Sequence, residues 1–224
     1  MKIWHISDTH GYHDLLTVPE GIDLVIHSGD ASNQRLPHLN IFEYMKFLDW
    51  FSNLNIEHKI FIAGNHDSSI ESGAVLKSDF TDKNITYLEN DFTVINSLVI
   101  WGSPYSPNFN NWSFMKNRSK LHKIWQQIPD NTDIVVTHTP PKGVLDISEN
   151  RQRELEFCGC NALKKRIMVL NPVLHLFGHI HNTKDIINAG TMKLSVLDTV
   201  FSNGSVVTDG KFGKLSSNGN IFEI

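Results

Sequence analysis

Short apolar runs rich in β-branched residues recur along the chain, and each gives way within a few positions to a polar cluster. Ile3 to Ile6, Ile22 to Ile26, Lys59 to Ala63, Ile134 to Val136 and Val173 to Phe177 have the length and flanking turn residues of buried strands. Ile85 to Leu88, Thr93 to Ile95 and Leu98 to Trp101 read as further strands joined by polar turns. Between the second and third strands the period changes. Ile41, Tyr44, Met45, Leu48, Phe51 and Leu54 share one face at helical spacing, which predicts a helix over residues 39–54. Pro37 near its start is tolerated because the first helical amides have no partner. Further helices are expected over about 114–127, ended by Pro129, and over 161–170, closed by Asn171-Pro172. Residues 104–112 form an irregular Pro/Asn-rich loop. From Asp185 onward short strands alternate with turns such as Asn203-Gly204, Asp209-Gly210 and Asn218-Gly219.

The polar clusters carry the chemistry. They are Asp8-Thr9-His10, Gly29-Asp30, Gly64-Asn65-His66-Asp67, Thr137-His138 and Gly178-His179-Ile180-His181, each where a strand ends. An α/β sheet builds its sites from polar side chains at strand ends. Asp, Asn and His form a mixed oxygen/nitrogen donor set suited to Mn, Fe or Zn. Taken singly, Asp8 and Asp30 read more readily as turn or cap residues, and His179 and His181 equally well as partly exposed histidines on a strand end. Five coincidences together favour a metal-dependent hydrolase. His5, His27 and His175 lie within strands and read as core or supporting residues, whereas His13, His38, His58 and His122 read as surface.

Composition narrows the picture further. At 224 residues and 40% hydrophobic content, one domain spanning 1–224 is the expectation. A net charge of −4 argues against a general grip on duplex nucleic acid. Cys158 and Cys160, one residue apart, make a poor disulfide, which favours a reducing compartment. Met1-Lys2-Ile3 leads straight into a strand without a signal-peptide pattern, and no apolar stretch is long enough to span a bilayer, so a cytoplasmic location is expected.

In order and kind, the five clusters resemble the calcineurin-like metallophosphoesterase superfamily over residues 5–181. The resemblance implies an α/β fold, a four-layer αββα sandwich of two mixed β-sheets flanked by helices, with two divalent metal ions at the strand ends. Asp8, His10, Asp30 and His181 would hold one metal and Asp30, Asn65, His138 and His179 the other, with Asp30 bridging. Manganese is the preferred pair, with iron or zinc as alternatives. His66 matches the family's catalytic histidine, which protonates the departing alkoxide after attack by a metal-bridging hydroxide. Asp67 either orients His66 or caps the segment that follows it.

Local strings resemble one branch, the small metallophosphoesterase-domain proteins, some of which hydrolyse cyclic nucleotides. These strings are Thr137-His138-Thr139-Pro140-Pro141-Lys142-Gly143, Asp146, Cys158-Gly159-Cys160, Leu174 to His181, and Phe201-Ser202-Asn203-Gly204-Ser205. Phe157 stands where that branch is expected to have a histidine. Ser/Thr phosphatases carry Gly-Asp-x-x-Asp-Arg-Gly at the second cluster; here Asn33 and Gln34 replace the Asp and Arg, and Arg35 comes one residue late. A monoester carries nearly two negative charges and a diester one, so losing that Arg costs a monoester more. A small phosphodiester or nucleotide-like substrate is therefore expected. The alternatives are a nuclease, which usually needs a capping domain for which the stretch after His181 is short, a phosphomonoesterase, or a non-catalytic scaffold of the same fold. The basic runs Lys116 to Lys123 and Lys164-Lys165-Arg166 read as solvated helix faces, and the cysteines as packing.

Overall fold

The computed structural model describes residues 1–150, 152–209 and 213–224. In chain order the elements begin β1 (Lys2–Ile6), β2 (Leu24–His27), α1 (Pro37–Ser52), β3 (His58–Phe61), α2 (Ser68–Glu71), α3 (Lys77–Thr81), β4 (Thr86–Tyr87), β5 (Asp91–Ile95) and β6 (Leu98–Ser103). They continue β7 (Ser106–Pro107), β8 (Met115–Lys116), α4 (Arg118–Trp125), β9 (Ile134–Thr137), β10 (Ile147–Glu149) and β11 (Leu155–Phe157). The last are α5 (Asn161–Leu170), β12 (Leu174–Phe177), β13 (Gly190–Lys193), β14 (Val200–Asn203) and β15 (Asn220–Glu223).

Two large mixed sheets result. One has the order β15-β1-β2-β3-β4, parallel except for β15; the other has the order β13-β14-β12-β9-β6-β5, parallel in its four central strands. Strand side chains alternate between faces, and here both faces are covered. In β1, Ile3 joins Leu24, Ile26, Ile60, Ile134, Val136 and Leu176 between the sheets, while Trp4 and Ile6 turn outward to Tyr44, Phe47 and Phe51 of α1. On the far side, Trp101, Val135, Phe177 and Phe201 meet Leu121 and Trp125 of α4 and Leu163 and Ile167 of α5. This is the four-layer αββα arrangement, and it explains why the parallel strands read as unbroken apolar runs.

Several boundaries and faces differ from the sequence reading. Helix α1 starts at Pro37, its first turn, and buries Phe47 instead of Met45, which is 43% exposed. The helix is apolar nearly all round, so periodicity alone could not choose its buried side; burying one such ring contributes roughly 1.5–3 kcal/mol. The helix expected over 114–127 is shorter, because Met115–Lys116 pairs with Ser106–Pro107 as strand. Helices α2 and α3 and the β10–β11 hairpin carried no apolar period and were not anticipated. Helix α5 spans the expected residues, and Asn171 closes it in the left-handed conformation (φ 48°, ψ 53°). The β5–β6 hairpin turns on Asn96 and Ser97, both with positive φ, as a primed turn requires. His13 is buried, 5% exposed, against Phe47 and Trp50, and is not a surface residue. Gly210 of the expected Asp209-Gly210 turn lies outside the described residues. Among the described residues no helix is long and apolar enough to cross a membrane.

Candidate metal centre

The parallel strands β1, β2, β3, β9 and β12 all end on one edge of the sandwich, and the five clusters follow them. The two sheets join there through a parallel bridge between Ser7 and Ser205. Beyond the strand ends the backbone leaves the extended region. Asp8 (φ 52°), His10 (φ 44°), Asp30 (φ 59°) and His179 (φ 72°) are all left-handed, an unusual conformation for non-glycine residues that gathers at functional sites. These turns aim consecutive residues at one point instead of at opposite faces. Neighbouring glycines allow the approach. A Cβ at Gly64 would run into Asp30 Oδ1, and one at Gly178 into Ser7 Oγ and Asp8 Oδ2.

Three overlapping groups of donors can each hold a cation: Asp8, His10 and His181; His10, Asp30 and His66; and Asp30, His138 and His179. Asn65 joins the last, its Oδ1 2.9 Å from His138 Nε2. All seven candidate ligands and His66 therefore meet in one place, with Asp30 shared between two groups. The supporting hydrogen bonds fit the residues to metal. His10 Nδ1 donates to Ser32 O (3.0 Å) and His138 Nδ1 to Ser28 O (2.9 Å), leaving each Nε2 facing the centre. His10 Nε2 lies 3.3 Å from His181 Nε2, an arrangement of two facing ring nitrogens that a shared cation relieves. Asp8 accepts from Ser205 Oγ (2.7 Å) and from the backbone N–H of His179 (2.9 Å to Oδ2).

Electrostatics divide the histidines. Burial, then repulsion from His181 and His66, pushes His10 down to about 4, and burial with repulsion from His138 pushes His179 down to about 3. Burial also opposes a charge on His138 and His181, but attraction outweighs it. Asp30 and Asp8 hold His138 up at about 9, and Asp8 raises His181. Asp8 itself stays well below the carboxylate range, because its imidazole neighbours, His181 foremost, overcome the burial penalty. A cation needs unprotonated imidazoles, so one bound by His138 and His181 would compete with the protons that their carboxylate neighbours favour there. The metal-free form would then carry more protons than the loaded one, and affinity would rise with pH up to about 9 and fall as pH drops. We expect about a tenfold gain per pH unit for each proton released. Titration calorimetry with Mn²⁺ in buffers of different ionisation enthalpy measures that release, and a pH-independent affinity would remove these imidazoles from the ligand set.

Asp67 does neither of the two jobs expected of it. It stands at the N-cap of α2 but makes no side-chain cap bond. Its carboxylate instead accepts the backbone N–H groups of Gly64 (2.7 Å), Asp30 (2.9 Å) and Ala31 (3.1 Å), tying the loops after β2 and β3 together. Burial and the nearby Asp30 push it up to about 7. The sequence carries no signal for Asn40, since a lone Asn on an apolar helix makes no motif, and it shows Ser205 only as the last residue of the Phe201-Ser202-Asn203-Gly204-Ser205 string. Around the centre lies a cleft of about 940 Å³ whose walls include Trp112, Phe109, Phe157, Arg35, Arg118, Glu149 and Glu156. The Pro/Asn-rich loop supplies Trp112, whose ring is 4.4 Å from that of His66, and Arg35 lies over its face at 3.5 Å. Arg118, read as part of a solvated face, lines the cleft and donates to the Cys158 and Gly159 carbonyls. Both cysteines are free; buried Cys160 accepts from Trp125 Nε1 at 3.4 Å.

A family model, the calcineurin-like phosphoesterases, matches residues 1–183. The chain belongs to this family. Among its relatives in this calcineurin-like phosphoesterase family, the chain is 33% identical over 230 residues to the Homo sapiens metallophosphoesterase domain-containing protein 1, and equally to the Mus musculus protein of that name. The match covers 91% of this chain and spans 65% of the length of each relative. A solved structure superposes with a TM-score of 0.69 at 15% identity over 90% of this chain and 89% of that one, a likeness of fold. The family is one of metal-dependent phosphoester hydrolases, and this chain carries its groups of candidate metal donors at the strand ends.

Proposed function

We propose that the chain is a dinuclear-metal phosphodiesterase acting on a small nucleotide-like diester. Asp8, His10, Asp30 and His181 would hold one cation and Asp30, Asn65, His138 and His179 the other, with manganese preferred because several imidazoles suit it better than Mg²⁺. When bound, two such cations activate a water nucleophile and neutralise phosphate charge. His66 supplies the other half of the reaction. Its Nδ1–H donates to Asn33 O (3.2 Å), so the exchangeable proton is the one on Nε2, which passes to the departing alkoxide.

The observation that carries the diester reading is the loop after Asp30. Exposed Gln34 stands at the phosphatase Arg position, and the Arg35 guanidinium, which lines the cleft, is stacked on Trp112 instead of standing free to clamp a dianionic phosphate. The size of the cleft and its aromatic walls support a substrate larger than a phosphate group. Convergence of every candidate ligand with His66 favours catalysis over a scaffold role.

The test compares a 4-nitrophenyl phosphodiester with the matching monoester in Mn²⁺. We expect kcat/KM to favour the diester by at least about tenfold, ~1.4 kcal/mol of transition-state discrimination. Chelation should abolish turnover and Mn²⁺ restore it better than Mg²⁺. A monoester preference would overturn the reading, and an Arg35→Ala variant that then lost monoester turnover selectively would identify Arg35 as the clamp. Full activity in demetallated protein would overturn the metal mechanism altogether.

A further inference from the structure

Among the described residues no carboxylate is hydrogen-bonded to the His66 imidazole. In the phosphatase pattern an Asp would stand at position 33; here Asn33 stands there, and it is the main-chain carbonyl of Asn33 that accepts from His66 Nδ1 at 3.2 Å. The amide on the other end of that same peptide unit, Gln34 N–H, donates to Glu43 Oε2 at 2.9 Å, and Asn33 N–H donates to the same oxygen at 2.6 Å. A peptide whose N–H is bound by an anion is a stronger acceptor at its C=O, because the two hydrogen bonds polarise one conjugated group in the same sense. Glu43 comes from α1, and so does Asn40, whose fully buried Nδ2 donates to Gln34 O (2.5 Å), His66 O (2.8 Å) and Ser32 Oγ. Asn40 Oδ1 accepts from Ser69 N–H (3.0 Å) and Ser69 Oγ (2.6 Å), which fixes the amide's orientation. One helix thus holds both the loop that carries the carbonyl and the backbone of His66.

We propose that Glu43 is a positioning residue for His66, acting through the Asn33–Gln34 peptide in place of a direct carboxylate–histidine pair. The proposal rests on the phosphodiesterase reading only for its kinetic consequence. The relay keeps the Nδ1 proton in place and steadies the imidazolium from which Nε2 delivers its proton; Nδ1–H stays bonded to the carbonyl before and after transfer. Its loss should therefore hurt reactions that need the proton and spare those that do not.

Two measurements test this on the full chain. In Mn²⁺-loaded protein, Glu43→Ala should lower kcat by about ten- to a hundredfold on a diester with an alkoxide leaving group, such as a cyclic mononucleotide, and by less than about threefold on a 4-nitrophenyl diester. Metal content should be unchanged, and Glu43→Gln, which keeps an acceptor oxygen, should recover part of the loss. In zinc-loaded protein, ¹⁵N NMR of neutral His66 should show the Nδ1–H tautomer in the wild type and a mixture in Glu43→Ala. Equal losses on both leaving groups, or an unchanged tautomer in Glu43→Ala, would overturn the relay. If the wild type hydrolyses no diester, or if His66→Ala itself shows no leaving-group dependence, the proposed function falls. In either case the NMR comparison still decides the relay by itself.

Discussion

Replacing Asp30 with alanine should be the most damaging single change in the chain, reducing phosphodiester turnover to background and emptying both metal positions. Asp30 belongs to two of the three donor groups, so its loss removes a contact from each. Its carboxylate also accepts the backbone N–H of His66 at 2.7 Å and lies 3.3 Å from His138 Nε2. Without it the His138 imidazole loses the anion that holds its proton, and two cations would face each other across an unneutralised gap. Metal analysis of the purified variant, together with kcat/KM in excess Mn²⁺, measures the effect. Circular dichroism checks that the fold survives. His179→Ala and Asn65→Ala, each at one position only, should lower metal content about halfway. A variant lacking Asp30 that kept two metals and its activity would exclude a bridging role.

His66→Ala should separate chemistry from binding. The imidazole stands at the edge of the donor set, its ring 4.6 Å from that of His10 and 4.4 Å from Trp112. Removing it leaves both three-residue groups without His66 intact, so metal content should change little. If Nε2 donates the proton, kcat should fall by roughly 10²–10⁴ on alkoxide leaving groups, corresponding to ~3–5 kcal/mol. Nitrophenolate needs no proton, and the loss there should be much smaller. A plot of log kcat against leaving-group pKa would show the difference as a steeper slope in the variant. Parallel slopes would assign His66 a positioning role, and loss of metal would make it a ligand, as its place in the His10–Asp30–His66 group permits.

The sequence carried the centre's inventory because each cluster follows a strand whose apolar run is continuous. Ile3 to Ile6 and Ile134 to Val136 are buried on both faces, so their ends are visible without knowing which sheet they join. Helix α5 was equally legible from Asn171-Pro172, where a left-handed cap and a residue with no N–H stop it. Less was visible where the signal depends on partners. Leu39, Phe42 and Met45 match Tyr44, Phe47 and Phe51 in apolarity, yet the first three face outward. The β10–β11 hairpin, exposed along most of its length, has no apolar period to mark it, although it contributes Glu149, Glu156 and Phe157 to the cleft.

By itself, then, the chain's order of residues determined which side chains could bind metal, which strands would deliver them, and the family to which they belong. Those properties are local: they depend on residue type, on short runs of burial and on turn chemistry within a few positions. The tertiary structure decided which side of α1 is buried, that Asp67 ties loops instead of steering His66, that Arg35 is stacked on Trp112, and that Glu43 reaches the peptide beside His66. Each of these is a contact between segments far apart in the chain or a choice among equivalent local patterns. Only the packing of two sheets and their helices brings such groups within hydrogen-bond distance, and no local pattern records it.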